Sequence, residues 1–248
     1  MKPVSDLRVQ IFADGADKAS MLELYRQPHI KGFTTNPTLM RAIGITDYQG
    51  FALDLLATIQ DRPISFEVFA DDEAEMEDQA RHISAWGKNV FVKVPVMSTN
   101  GAPTYDLVRH LSGDGIQLNV TALLTLDQVR SVCDVLQAPA YVSVFAGRIA
   151  DTGRDPVPLM REAVSMVNDV NAQLIWASPR ELLNVFQADD IGCHVITATT
   201  DILKKLPLVG KDLHEFSQET VQMFRGDAVK SGYSLPTARQ GISVVSRH

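Results

Sequence analysis

Lys93 stands in the apolar run FVKVPV, flanked by Phe91, Val92, Val94, Pro95 and Val96. Such a run gives an ammonium no easy route to bulk water, and desolvation disfavours the charged form of a lysine. A neutral amine attacks a carbonyl carbon and forms a Schiff base. Making and resolving the carbinolamine moves protons on and off oxygen and nitrogen, so this chemistry calls for carboxylates nearby. Glu67 in ISFEV and Asp14 after VQIFA supply them. Other polar residues fall near the C-terminal ends of apolar runs: Asn36 after GFTT, Asn119 and Thr121 in IQLNVT, Ser143 in YVSVF and Ser178 in LIWAS. The alternative for Lys93 is a snorkelling lysine or a buried structural ion pair with Glu67, and each carboxylate alone also suits an ion pair.

Arg148 in FAGRIAD and Arg180 in ASPRE supply cations for an anionic ligand. Ser178, Pro179 and Glu181 form an S-x-x-E pattern that predicts a helix start, where free N–H groups and the helix dipole favour an anion. Plain capping beside a surface arginine is the competing reading. Asn36-Pro37 likewise reads as a helix start, and Thr125 to Gln128 as a capping box without chemistry. Six histidines are spread singly, and Cys133 and Cys193 make neither a metal-ligand spacing nor a disulfide framework. No zinc ligand set is visible, so no metal is expected.

These residues need a frame that brings them together. Eight short apolar runs recur: Arg8 to Ala13, Ile30 to Thr35, Ile64 to Phe69, Val90 to Val94, Ile116 to Thr121, Ala140 to Phe145, Gln173 to Ser178 and His194 to Ala198. Each is followed by a helix-period segment, such as Ala74 to Trp86 or Asp155 to Val170, the latter with Asp155 as N-cap and Pro156 at the first helical position. Alternation of this kind predicts βα units, a parallel sheet and strands covered on both faces. The predicted fold is α/β, a single (β/α)8 TIM barrel spanning 1–248, and its strand ends converge on one site. The chain's 248 residues fit that fold, which takes roughly 250. An open dinucleotide-binding sheet lacks its fingerprint, because the first turn reads ADGAD with one Gly. Thr200 to Gly232 predicts two extra C-terminal helices broken at Pro207 to Gly210, and 233–248 has no periodicity.

A formal charge of −7 and a pI near 5.3 argue against general nucleic-acid binding. No apolar stretch approaches the roughly 18 residues that would span a bilayer. With neither a cationic leader nor an apolar segment at its start, the chain is expected in the cytoplasm.

The stretches IFADGAD, GFTTNPTL, ISFEV, FVKVPV, LNVTALLTLDQ, YVSVFAGRIAD, WASPREL and GCHVITATTDILKKL run in order from Ile11 to Leu206. Together they resemble the transaldolases and the closely related fructose-6-phosphate aldolases. The resemblance implies a Schiff-base lysine at Lys93, a proton-transfer carboxylate at Asp14, and a water held by Glu67 with Thr121. It implies substrate contacts from Thr34, Asn36, Asn119, Ser143 and Phe145, and a distal phosphate held by Arg148, Ser178 and Arg180. The implied reaction moves a dihydroxyacetone unit from a ketose phosphate to an aldose without metal or organic cofactor, a step of the pentose phosphate pathway. Glu67 and Phe145 match the transaldolase branch, where the aldolase branch has Gln and Tyr. ADGAD, Pro179 between Ser178 and Arg180, and bulky Phe66 and Trp176 depart from the family pattern and bear on substrate identity. The chain also resembles the small-subunit branch, which implies a C-terminal helix over Gly210 to Val229 that reaches a neighbour, and a ring-forming homo-oligomer. Rival readings are an aldolase releasing free dihydroxyacetone, a transaldolase for a sulfonated fructose, and a non-catalytic barrel that serves as a binding or assembly subunit.

Overall fold

Val, Ile and Phe dominate the strands and alternate with inward-facing residues of a different kind, so the sheet curls round a mixed interior. The computed structural model describes residues 2–235 and contains a closed, all-parallel barrel in the order β1 to β8. The strands are β1 Gln10–Asp14, β2 Ile30–Thr34, β3 Ile64–Glu67, β4 Val90–Pro95, β5 Leu118–Leu123, β6 Ala140–Val144, β7 Ala172–Trp176 and β8 Val195–Thr199. The helices are α1 Lys18–Tyr25, α2 Pro37–Ala42, α3 Tyr48–Leu56, α4 Glu73–Ser84, α5 Tyr105–Gly113, α6 Leu126–Cys133, α7 Ala146–Ala150, α8 Val157–Asn168, α9 Leu183–Asp190, α10 Thr200–Leu203 and α11 Leu213–Lys230. All eight predicted strands are present, with ends that differ from the expected bounds by no more than two residues. The predicted N-cap of α8 sits one position off: the helix is counted from Val157, although the Asp155 carboxylate does accept the Val157 N–H at 2.9 Å.

Two compact units are described, 2–207 and 208–235. The first is the barrel with its helices. The second holds α11, whose N-cap Asp212 accepts the N–H groups of His214 and Glu215. The predicted irregular end falls, from 236 on, outside the described residues.

Alternation along the strands sorts the interior into two apolar clusters. Val90, Val92 and Val94 belong to the large cluster between sheet and helices, whereas Phe12, Tyr141, Ile175 and Val195, with Phe91, pack inside the barrel. Phe12 and Tyr141 meet edge to face at 5.5 Å, and Phe91 and Tyr141 lie 4.4 Å apart. Gly32 makes room for this plug, since a Cβ there would stand 2.6 Å from the Phe12 ring. Two residues further along the same face of each strand come Asp14, Lys93, Ser143, Ala177 and Thr197, about 7 Å above the plug. An apolar floor and a polar layer therefore follow from one period-2 pattern.

Candidate active site

Lys93 lies at the centre of that polar layer. Its Nζ donates to Glu67 Oε2 at 2.9 Å and to the Thr35 carbonyl at 2.8 Å, and the residue is 6% exposed. The Glu67 pairing is the ion pair anticipated as an alternative, and it forms between residues paired across the β3–β4 ladder. Tyr48, the first residue of α3, fixes Glu67 from outside: its hydroxyl accepts the Glu67 N–H at 2.7 Å.

Asp14 sits opposite. Its carboxylate accepts from Thr34 Oγ1 at 2.7 Å and from Asn36 Nδ2 at 3.1 Å. Burial holds the Asp14 carboxyl above its ordinary range; the Lys93 charge and the two hydrogen bonds oppose this, and the Glu67 charge adds to it. Asn36 starts α2 as expected, its Oδ1 accepting the Leu39 N–H at 2.9 Å, while its Nδ2 donates to Asp14, a contact the sequence did not suggest. Capping thus fixes the direction of the amide.

Beside Lys93, Ser143 Oγ donates to Asn119 Oδ1 at 2.7 Å, and Asn119 Nδ2 donates to Ser65 Oγ at 3.0 Å. Thr121 is 2% exposed and its Oγ1 has no hydrogen-bond partner. A register break in β5 and a left-handed Ala122, φ 66°, aim this end of the strand.

Above these residues opens a cavity of about 510 Å³. Asp14, Thr34, Asn36, Glu67, Lys93, Thr121 and Ser143 line its depth, with Phe145, Arg148, Ser178 and Arg180 on one wall. Asn119 does not line it and lies fully buried beneath Ser143. Phe66 and Trp176, which looked intrusive in sequence, do not line it either. Both are fully buried in the cluster between sheet and helices, Phe66 against Tyr48 and Trp86.

The expected helix start at Ser178 is corrected. Ser178 is left-handed, φ 58°, and α9 begins only at Leu183; the Arg180 and Glu181 N–H groups are both taken by Asn184 Oδ1, at 2.7 and 3.1 Å. The cations on this wall are the side chains of Arg148 and Arg180. Arg148 lies over the Phe145 ring, with its guanidinium carbon 5.5 Å from the ring centre.

Sequence reasoning passed over Thr35, Ser65, Thr197 and Tyr48. Thr197 pairs with Thr34 at 2.6 Å between hydroxyls and lines the cavity. Ser65 and Thr197 were findable by period, as Ser65 stands two residues before Glu67 and Thr197 two after Val195. Thr35 acts through its backbone and Tyr48 through a helix, and neither left a signal.

A family model described as transaldolase/fructose-6-phosphate aldolase matches residues 11–235. A probable transaldolase from Dehalococcoides mccartyi is 32% identical over 213 residues, which is 84% of this chain and 96% of the relative. Another from a Thermoanaerobacter species is 29% identical over 229 residues, or 92% of this chain and all of the relative. Among solved structures, 3-keto-L-gulonate-6-phosphate decarboxylase from Vibrio cholerae matches with a TM-score of 0.53 at 12% identity, over 80% of this chain and 89% of that one. KGPDC from Streptococcus mutans matches with a TM-score of 0.55 at 10% identity, over 80% and 90%. Likeness this remote in sequence speaks for the barrel alone.

Proposed function

Because this chain belongs to the transaldolase/fructose-6-phosphate aldolase family, we propose that it is a transaldolase. It moves a dihydroxyacetone unit from a ketose phosphate, fructose 6-phosphate or a close analogue, to an aldose through a Schiff base on Lys93. The observation that carries this reading is the Lys93 amine, buried at the floor of a polar cavity with a carboxylate 2.9 Å away and a second, burial-raised carboxyl across from it.

Lys93 Nζ attacks the ketone carbon while Glu67 relieves it of a proton. The carbinolamine oxygen leaves as water, held between Glu67 and Thr121, whose buried Oγ1 lacks a protein partner. When the C3–C4 bond breaks, its electron pair passes into the iminium, and the C4 hydroxyl gives its proton to Asp14 as the aldose departs. The enamine left on Lys93 attacks the acceptor aldehyde, whose oxygen takes the proton back from Asp14. Water returns through Glu67 and frees the product. Asp14 suits this shuttle because its environment raises the carboxyl toward the working range of pH. Asn36 and Ser143 meet substrate hydroxyls, with Asn119 setting Ser143 from below, and Arg148 and Arg180 face the distal anion. This cycle uses no metal or organic cofactor.

Acceptor dependence tests the assignment. With fructose 6-phosphate, product should form only when an aldose phosphate is supplied. Steady release of free dihydroxyacetone without an acceptor would instead make the chain an aldolase, and turnover confined to a sulfonated fructose would change the donor. Among the described residues no helix is long and apolar enough to cross a membrane. Apolar side chains exposed along α11, including Leu213, Met223 and Phe224, support a homo-oligomer, which mass measurement in solution would test.

A further inference from the structure

The geometry points to Gly147 and Asp151 as positioning residues: we infer that they hold the Arg180 guanidinium at the cavity wall, where it selects donors with an anionic distal group. The inference deepens the transaldolase reading and rests on it.

Gly147, buried in α7, is the first support. A Cβ built there would stand 1.5 Å from the Ser178 carbonyl oxygen, 2.7 Å from its carbon and 3.1 Å from Arg180 Nε. The first contact is with backbone, so it cannot be relieved by turning a side chain. Only glycine lets the segment after β7 close onto α7. The second support is the segment itself. Ser178 is left-handed at φ 58°, a conformation that persists where surrounding contacts over-determine it. The contacts are present: Gly147 closes from one side, and Asn184 holds the next two free N–H groups, those of Arg180 and Glu181, from the other.

Asp151 is the third. It caps the C-terminus of α7, where a negative charge opposes the helix dipole and does nothing for the helix. Both of its oxygens grip Arg180 side-on, Oδ1 accepting from Nε at 3.0 Å and Oδ2 from Nη2. A fork held at two points loses its rotamer freedom before any ligand arrives, which lowers the entropic cost of binding. Arg180 Nη1 keeps no hydrogen-bond partner among the described residues, and Arg180 lines the cavity while Asp151 does not. Asp151 therefore acts through Arg180 and not on the substrate.

The test compares wild type with Asp151→Asn and Gly147→Ala. Preference for fructose 6-phosphate over neutral fructose as donor, as a ratio of kcat/KM values, should fall about tenfold or more in both variants, chiefly through KM. Asp151→Glu should recover part of it. Equal losses on both donors, or an unchanged ratio, would overturn the inference, since a merely structural role harms both alike. Calorimetry with inorganic phosphate supplies a readout independent of Lys93: affinity should drop in Asp151→Asn. If it drops while wild type turns over neither donor, the positioning stands and the transaldolase reading falls. An unchanged phosphate affinity overturns the positioning whatever the turnover.

Discussion

Lys93 and Glu67 are directly paired across the β3–β4 ladder, and their side chains meet again at 2.9 Å inside the barrel. Backbone and side chain therefore fix the same separation between the Lys93 amine and the Glu67 carboxylate. A structural ion pair has no need of the Thr35 carbonyl, which anchors Nζ from a third strand end at 2.8 Å. Together the two contacts aim the amine at the cavity floor.

Removing the amine separates catalysis from folding. Lys93→Ala should reduce turnover on the order of a thousandfold or more. It should stay folded, losing about 2 kcal/mol, less than for a fully buried pair because Glu67 remains partly open to the cavity. Circular dichroism and denaturant titration check the fold; full activity in this variant would rule out Lys93 as the nucleophile.

Asp14 gives a pH signature. Its folded carboxyl is raised above the ordinary 3.8, so the folded chain holds this proton more tightly than the unfolded one. The favourable contribution of the protonated form is complete below that ordinary value and is lost as pH rises through the folded one. Asp14→Asn cannot ionise and keeps both neighbours, accepting from Asn36 and donating to Thr34, whose hydroxyl turns to Thr197. It should be more stable than wild type at pH 7, with the advantage shrinking as pH falls toward 4, while bond cleavage is lost. Denaturant titrations at the two pH values measure this.

Thr121 should behave in the opposite way from a core residue. Its buried hydroxyl has no partner, so the isosteric Thr121→Val should leave stability within about 1 kcal/mol or raise it. Turnover should fall about a hundredfold because the water step loses its support. Parallel loss of stability and activity would place Thr121 in the packing alone.

Gly32 probes the floor. A Cβ 2.6 Å from the Phe12 ring, which is fully buried, forces the aromatic plug to shift. Gly32→Ala should cost about 1–3 kcal/mol and lower Tm, a result that thermal melting reads directly.

The barrel was legible because its apolar runs recur with helices between them, and the site was legible wherever a charged or amide side chain interrupted such a run. What escaped has a physical cause. Strands buried on both faces read as nearly continuous hydrophobics, so the bulk of Phe66 misled where alternation against its neighbour Glu67 would have turned it toward the helices, while Trp176, two residues before Ser178, read as sharing its face. The S-x-x-E pattern at Ser178 failed because a left-handed residue turned the chain away from the helix it seemed to start, and that turn depends on Gly147, far off in sequence. The grip of Asp151 on Arg180 likewise joins two loops across 29 positions and leaves no local mark.

Borohydride reduction in the presence of fructose 6-phosphate, followed by intact-mass and peptide analysis, tests the central claim most directly, because the reduced adduct records both nucleophile and carbon fragment. A three-carbon adduct on Lys93, absent from Lys93→Ala, is the predicted result. An active enzyme that yields no adduct, or an adduct on another lysine, would contradict the account.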